Sequence, residues 1–222
     1  MCGRFNIIGG PAINKLMADV MGDAAAPTLA TQLNVAPTES VPVVLQNQGN
    51  KELHLARWWL TPSWSSGPDT KFSMFNARAE GLESSRAYKG PFHHQRCILP
   101  VSSYIEWQKT ASGKQPIEIY REDEAIAFAG LWDVWNDELL SCSVVTTAAS
   151  ESMAPIHNRM PVMLDQQGID LWLDGQSSVE QLQTLFTPNL VYPLMARPVD
   201  KAINNARVKE LPRAVGEVRE LL

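Results

Sequence analysis

Apolar positions change their period several times along this chain. Residues 11–21 place Ile13, Leu16, Met17 and Val20 three and four apart behind Pro11, which predicts an amphipathic helix with proline in its first turn. From Val41 the texture becomes short apolar runs broken by turn residues: 41–45, 53–60, 97–101, 104–107, 117–120, 126–132 and 140–147. Each reads as a strand. Thr110 to Gly113 supply turn chemistry between Trp107 and Ile117, so the flanking runs predict a hairpin. Helical spacing returns at 169–173 and 179–186, and 190–195 reads as a late strand. The expected class is α+β, with curved, mostly antiparallel, barrel-like sheets and short peripheral helices. No repeat or long linker divides the sequence, so one domain is expected over residues 1–222.

Composition narrows the setting. A chain of 222 residues, 45% hydrophobic, can bury a core without covalent staples. Cys2, Cys97 and Cys142 fit neither a disulfide framework nor paired zinc ligands, which predicts a reducing compartment. The opening residues lack the basic-then-apolar order of a signal peptide, and no apolar run reaches the roughly 18 residues of a membrane span. A cytoplasmic protein without membrane contact is expected. Net charge is −5, against a nonspecific coat for nucleic acid, yet residues 71–121 carry 8 basic and 4 acidic side chains. That +4 segment leaves −9 for the remainder; it is equally readable as a basic face or as scatter among surface charges.

Candidate chemistry starts at Cys2. A small residue at position 2 permits removal of Met1, and the new terminus would be a 1,2-aminothiol. Its α-amine, with a pKa of about 7.7–8.0, is partly neutral at pH 7 and can form an imine with an aldehyde; the thiol can then close a five-membered thiazolidine. Position alone does not separate this from an ordinary terminal cysteine. Glu106, in a Tyr-Ile-Glu-Trp strand, shares a face with Tyr104, where desolvation suits proton transfer; an edge strand would instead expose it. His157 lies in a proline-bounded loop and can exchange protons near neutrality, or sit on the surface. His93 and His94 point apart in an extended segment and lack metal-site spacing. Asn76 and Arg78 suit a polar anionic ligand, and Trp64, in a Pro/Ser/Gly-rich loop, suits stacking on a base.

As an ordered set these segments resemble the SOS-response-associated peptidase (SRAP) family. The resemblance rests on Cys2-Gly3-Arg4-Phe5, Asn34-Val35-Ala36-Pro37-Thr38, Trp58 through Trp64, Asn76-Ala77-Arg78-Ala79-Glu80, Tyr104-Ile105-Glu106-Trp107, Thr146-Thr147-Ala148 and His157-Asn158-Arg159-Met160-Pro161. It extends to Asn204-Asn205-Ala206-Arg207. It implies a DNA-damage-response protein that senses abasic sites in single-stranded DNA and crosslinks to them as a thiazolidine. Cys2 would be the nucleophile, Asn76 would orient the amine or sugar, Glu106 would shuttle protons, and His157 would assist sugar opening and crosslink reversal. Arg4, Arg78, Arg86 and Arg159 would hold phosphates, Asn34 would join this DNA-contacting set, Trp64 would stack near the lesion, and Thr146 would line the pocket. Abasic-site lyase activity and self-removal of Met1 are further implications, with no metal or other cofactor. The chain would work as a monomer on single strands or single/double-strand junctions, joining the nucleoid on damage. Trp59 and Ser103 stand where the family usually has glycine, which puts the width of the groove in question. Rival readings are a noncovalent single-strand or junction binder, an N-terminal-nucleophile glutamine amidotransferase, and a peptidase acting on other proteins.

Overall fold

A computed structural model describes all residues except 1, 24, 25, 48 and 70. Met1, whose removal was anticipated above, therefore lies outside the described residues. The elements run β1 (Arg4–Ile7), α1 (Pro11–Met21), β2 (Gln32–Val35), β3 (Ser40–Asn47), β4 (Asn50–Arg57), β5 (Asn76–Arg78), α2 (Lys89–His94), β6 (Arg96–Val101), β7 (Ser103–Thr110) and β8 (Gly113–Tyr120). They continue with β9 (Ile126–Trp135), β10 (Leu139–Ala148), β11 (Arg159–Pro161), β12 (Met163–Leu164), α3 (Gln166–Leu173), α4 (Val179–Gln183), β13 (Leu194–Pro198) and β14 (Arg219–Leu221).

Two sheets organise these strands. One is antiparallel throughout, in the order β14-β13-β8-β7-β1-β2. In the other, β10 pairs with β9, β9 with β6, β6 with β3, β3 with β4, and β4 returns to β10 in parallel at Ser141 and Arg57. That ring of five strands is a closed barrel, and closure hides the backbone edges an open sheet would leave. Strand β10 then outruns the ring, taking β5 in parallel at residues 144–146 and β11 at residues 146–148.

Local chemistry accounts for the main features. Helix α1 has Pro11 in its first turn and buries Ile13, Leu16, Met17 and Val20, each contributing about 1.5–3 kcal/mol at most. The β7–β8 hairpin closes from Thr110 to Gly113, whose φ of +109° suits glycine. Between β9 and β10, Asn136 and Asp137 both take positive φ, as a tight hairpin turn requires. At Gly130 in β9, a Cβ would collide with Leu99 Cδ1 and Cys97 Sγ, so glycine leaves room for these two buried side chains. Phe5 against Trp58, 4.6 Å between ring centroids, and Tyr104 against Phe128, 5.5 Å, knit the two sheets into one core.

Three local expectations are corrected. The strand read over 53–60 ends at Arg57, and Trp58 turns inward to donate its indole N–H to the Phe75 carbonyl at 2.9 Å. The late strand begins at Leu194, directly after Pro193, which carries no N–H to donate to a ladder. His93 and His94 are not extended; they close the last turn of α2, where His93 Nε2 lies 2.7 Å from Glu83 Oε1.

Candidate DNA-reactive site at the N-terminal strand

Strand β1 runs between β7 and β2, so the residues just ahead of it enter the middle of a sheet. Cys2 is fully buried there, its thiol 3.7 Å from the Arg4 carbonyl oxygen. Asn76, at the start of β5, donates from Nδ2 to the Cys2 carbonyl at 2.8 Å. Glu106 follows Ile105, which is paired with Arg4, and is 1% exposed. Burial raises the Glu106 carboxyl above the usual carboxylate range. Burial, and then the charge of Glu106, push the Cys2 thiol up, and the same two causes raise the Tyr104 phenol. Cys2, Tyr104 and Glu106 thus share one poorly solvated pocket.

His157 is brought to the same end by its loop. Tyr104 and Gln108, on either side of Glu106, hold Met153 and the Pro155 carbonyl, and the His157 N–H binds the Met153 carbonyl at 3.1 Å. The Arg159 backbone N–H donates to His157 Nδ1 at 3.0 Å, so the neutral ring carries its proton on Nε2. Burial lowers the pKa of this half-buried imidazole, which favours the neutral form.

The residues expected on DNA divide into two sets. Arg78, Arg86 and Trp64 are exposed, and the Arg86 guanidinium lies 3.9 Å over the Trp64 ring. Trp64 borders a cleft of about 680 Å3 reaching Leu60, Phe72, Met74 and Arg86. Its loop is held by the Thr61 N–H on Ser141 Oγ, the Ser63 N–H on Asp133 Oδ2 and the Trp135 indole N–H on the Ser65 carbonyl. The Asp133 and Ser141 anchors had no sequence signal, since each sits in an ordinary strand run. Arg159, by contrast, is engaged by the Glu80 carboxylate and the Thr146 carbonyl.

Asn34 and Thr146 are fully buried, as Cys2 is, and both are held by backbone carbonyls. Thr146 donates its hydroxyl to the Ala77 carbonyl beneath the site. Asn34, at φ +47°, donates from Nδ2 to the carbonyls of Ile203, Asn205 and Val208, while its own N–H binds Asn6 Oδ1. Arg4 joins this anchor through Asn34 Oδ1 at 3.1 Å and the Ile203 carbonyl at 2.8 Å. Asn34→Ala leaves those carbonyls without their donor and is expected to destabilise the fold by about 2–4 kcal/mol in urea unfolding; a change under about 0.5 kcal/mol would contradict this role.

Ser103 does not narrow the groove. It lies on the face of β7 opposite Glu106 and joins a buried network, accepting from Asn6 Nδ2 and donating to Glu118 Oε1, both at 2.8 Å. Trp59 packs on Phe75 with centroids 5.4 Å apart, beside the start of β5. Among the described residues, no group of three or more His, Cys, Asp or Glu is placed to hold a metal ion, and no helix is long and apolar enough to cross a membrane.

The SOS response associated peptidase (SRAP) family matches residues 1–206 of this chain. Abasic site processing protein YoaM of Bacillus subtilis is 32% identical over 216 residues, covering 93% of this chain and 94% of that protein. Abasic site processing protein YedK of Escherichia coli is 28% identical over 218 residues, covering 93% and 96%. A solved structure of a protein from Bacteroides thetaiotaomicron shares the fold, with a TM-score of 0.75, 24% identity and coverage of 90% and 93%. The chain belongs to the SRAP family.

Proposed function

We propose that this chain captures abasic sites in single-stranded DNA covalently, through the amine and thiol of Cys2 once Met1 is removed. The observation that carries this reading is the Cys2 pocket: Asn76 holds the Cys2 carbonyl at 2.8 Å, and the buried Glu106, its pKa raised by desolvation, acts on the Cys2 thiol. The relatives named as abasic site processing proteins supply the substrate class.

The chemistry follows from those groups. The α-amine attacks C1′ of the open aldehyde, and Glu106 gives its proton to the departing hydroxyl as the carbinolamine loses water to an imine. The imine formed in this way is protonated; the thiol adds to its carbon, the Glu106 carboxylate takes up the thiol proton, and the iminium nitrogen, keeping its own proton, becomes the neutral ring amine. Aldehyde, amine and thiol become one thiazolidine and one water. Neutral His157, with its proton on Nε2, donates to the sugar oxygen during opening and reversal. If a base removes a C2′ proton before sulfur adds, the same imine leads to strand cleavage by β-elimination, which is the lyase branch of the proposal. Hydrolytic release of Met1 is assigned to the same Cys, Glu and His.

Arg78 and Arg86 provide cationic contacts for the backbone, and Trp64 provides a face for a neighbouring base. Monomeric binding to a single strand or a junction, during the damage response, belongs to the same proposal. The test uses protein shown by intact mass to begin at Cys2, mixed with a single-stranded oligonucleotide carrying one abasic site. A heat-stable one-to-one adduct is expected on a denaturing gel, and none with a tetrahydrofuran analogue that lacks the aldehyde. Failure to form the adduct with the authentic site would overturn the covalent reading.

A further inference from the structure

The bidentate edge of Arg159 is already occupied. Nη1 lies 2.5 Å from Glu80 Oε1, Nη2 lies 2.9 Å from Glu80 Oε2, and Nη2 also donates to the Thr146 carbonyl at 2.6 Å. A carboxylate in this fork has the geometry a phosphate would adopt there. The strands place the fork near a second cation: β10 pairs Thr146 with Arg78 on one side and Ala148 with Arg159 on the other, and the Arg78 charge also acts on the Glu80 carboxylate. Glu80 is two residues beyond Arg78, in the 3-10 turn Ala79–Gly81. Its side chain is 58% exposed against 15% for Arg159, so the carboxylate is the partner that can swing into solvent while the guanidinium stays in place. The Arg159 fork also holds the Glu80 carboxyl below the usual carboxylate range, so it is charged at neutral pH.

We propose that Glu80 is a built-in competitor for DNA phosphate at Arg159: in the free protein its carboxylate fills the phosphate seat, and a bound strand exchanges a backbone phosphate for it. The proposal rests on the DNA reading above and adds a residue that sets how strongly a strand is held. The exchange trades one anion for another at a single cation, so the net attraction gained is less than an empty arginine would give. Undamaged strands, which have no covalent step to retain them, are released more readily for that reason. The Arg159 backbone N–H on His157 Nδ1 is untouched by the exchange, so the effect falls on binding rather than on the chemistry at Cys2.

The experiment measures binding apart from crosslinking, by fluorescence anisotropy with a single-stranded oligonucleotide carrying the tetrahydrofuran analogue at low salt. Glu80→Gln is expected to bind about three- to fivefold more tightly than the parent, the scale of one exposed ion pair. Glu80→Ala should move in the same direction, which guards against a fold defect in one variant. Glu83→Gln removes an equal charge nearby without touching Arg159 and should gain less than about twofold. In an Arg159→Ala background the gain from Glu80→Gln should vanish, as expected when two residues act through one contact. Unchanged or weaker binding by both Glu80 variants, or the same gain without Arg159, overturns the competition while leaving the DNA reading standing. Parent protein that fails to bind the oligonucleotide at all overturns the DNA reading and the competition with it.

Discussion

A Cys2→Ser chain is expected to leave no heat-stable adduct on an abasic oligonucleotide, yet to yield an imine that borohydride traps and more strand scission than the parent. In protein shown by intact mass to begin at residue 2, the substitution keeps the α-amine, and Asn76 still has the residue-2 carbonyl to hold, so the first bond to C1′ can form. The second cannot form effectively, because a hydroxyl is a far weaker nucleophile than sulfur. Retained adduct should fall by about 100-fold or more, and the imine then partitions toward hydrolysis or β-elimination. Denaturing gels with and without borohydride read all three products. A heat-stable adduct of parental yield from Cys2→Ser would show that sulfur is not the trapping atom. Loss of the borohydride-trapped species as well would show that the amine is not the first nucleophile.

In protein shown by intact mass to begin at Cys2, Glu106→Gln should slow adduct formation by about 10²- to 10⁴-fold, the usual worth of a positioned acid–base group, and should also make the protein more stable at neutral pH. The two effects share one cause. Burial raises the Glu106 pKa, so the folded chain resists ionising a group that ionises freely when unfolded. Stability is highest where the carboxyl is protonated in both states, and it declines as pH rises through the ordinary carboxylate range toward the raised folded value. Glutamine removes that decline. At pH 7 its melting temperature should exceed the parent's by roughly 2–4 °C, corresponding to about 1 kcal/mol in a domain of this length. At pH below the ordinary carboxylate range the difference should close. Equal pH profiles for the two proteins would remove the case for a carboxyl held neutral by its surroundings, and an undiminished adduct rate would remove its catalytic role.

Much of the scaffold was legible because its signals are local. Helix 11–21 matches α1 at both ends, since proline marks the start and four periodic apolar residues define one buried face. The runs at 97–101, 104–107, 117–120, 126–132 and 140–147 all fall within strands, and the hairpin turn was placed by Thr110 and Gly113. Barrel-like curvature was expected, but the contact that closes the ring was not legible, because it is a parallel pairing of Ser141 with Arg57 across distant sequence. Strands β5 and β11 are three residues each and carry polar motif residues, so no alternation marks them.

The residues gathered at the site were legible, their architecture less so. The order of motifs singled out Cys2, Asn76, Glu106 and His157, and the pocket joins the first three by a hydrogen bond, a strand register and a shared electrostatic field. The anchoring role of Asn34 was not legible, because an asparagine in a polar motif reads the same on a surface as in an anchor. Its partners, the carbonyls of residues 203, 205 and 208, lie far away in sequence. Glu80 stood in a quoted motif with no role, since only the folded β10 region brings it against Arg159.

The burial of Cys2 also orders events in time. A thiol kept protonated and away from solvent reacts slowly with peroxides, disulfides and alkylating agents, all of which require a reachable thiolate. On the proposed chemistry, sulfur that waits for an imine to form on its own α-nitrogen meets the electrophile within the same residue, where effective concentration replaces intrinsic reactivity. On the proposed chemistry, burial thus keeps the thiol unreacted through ordinary oxidative wear, and the lesion itself supplies the trigger.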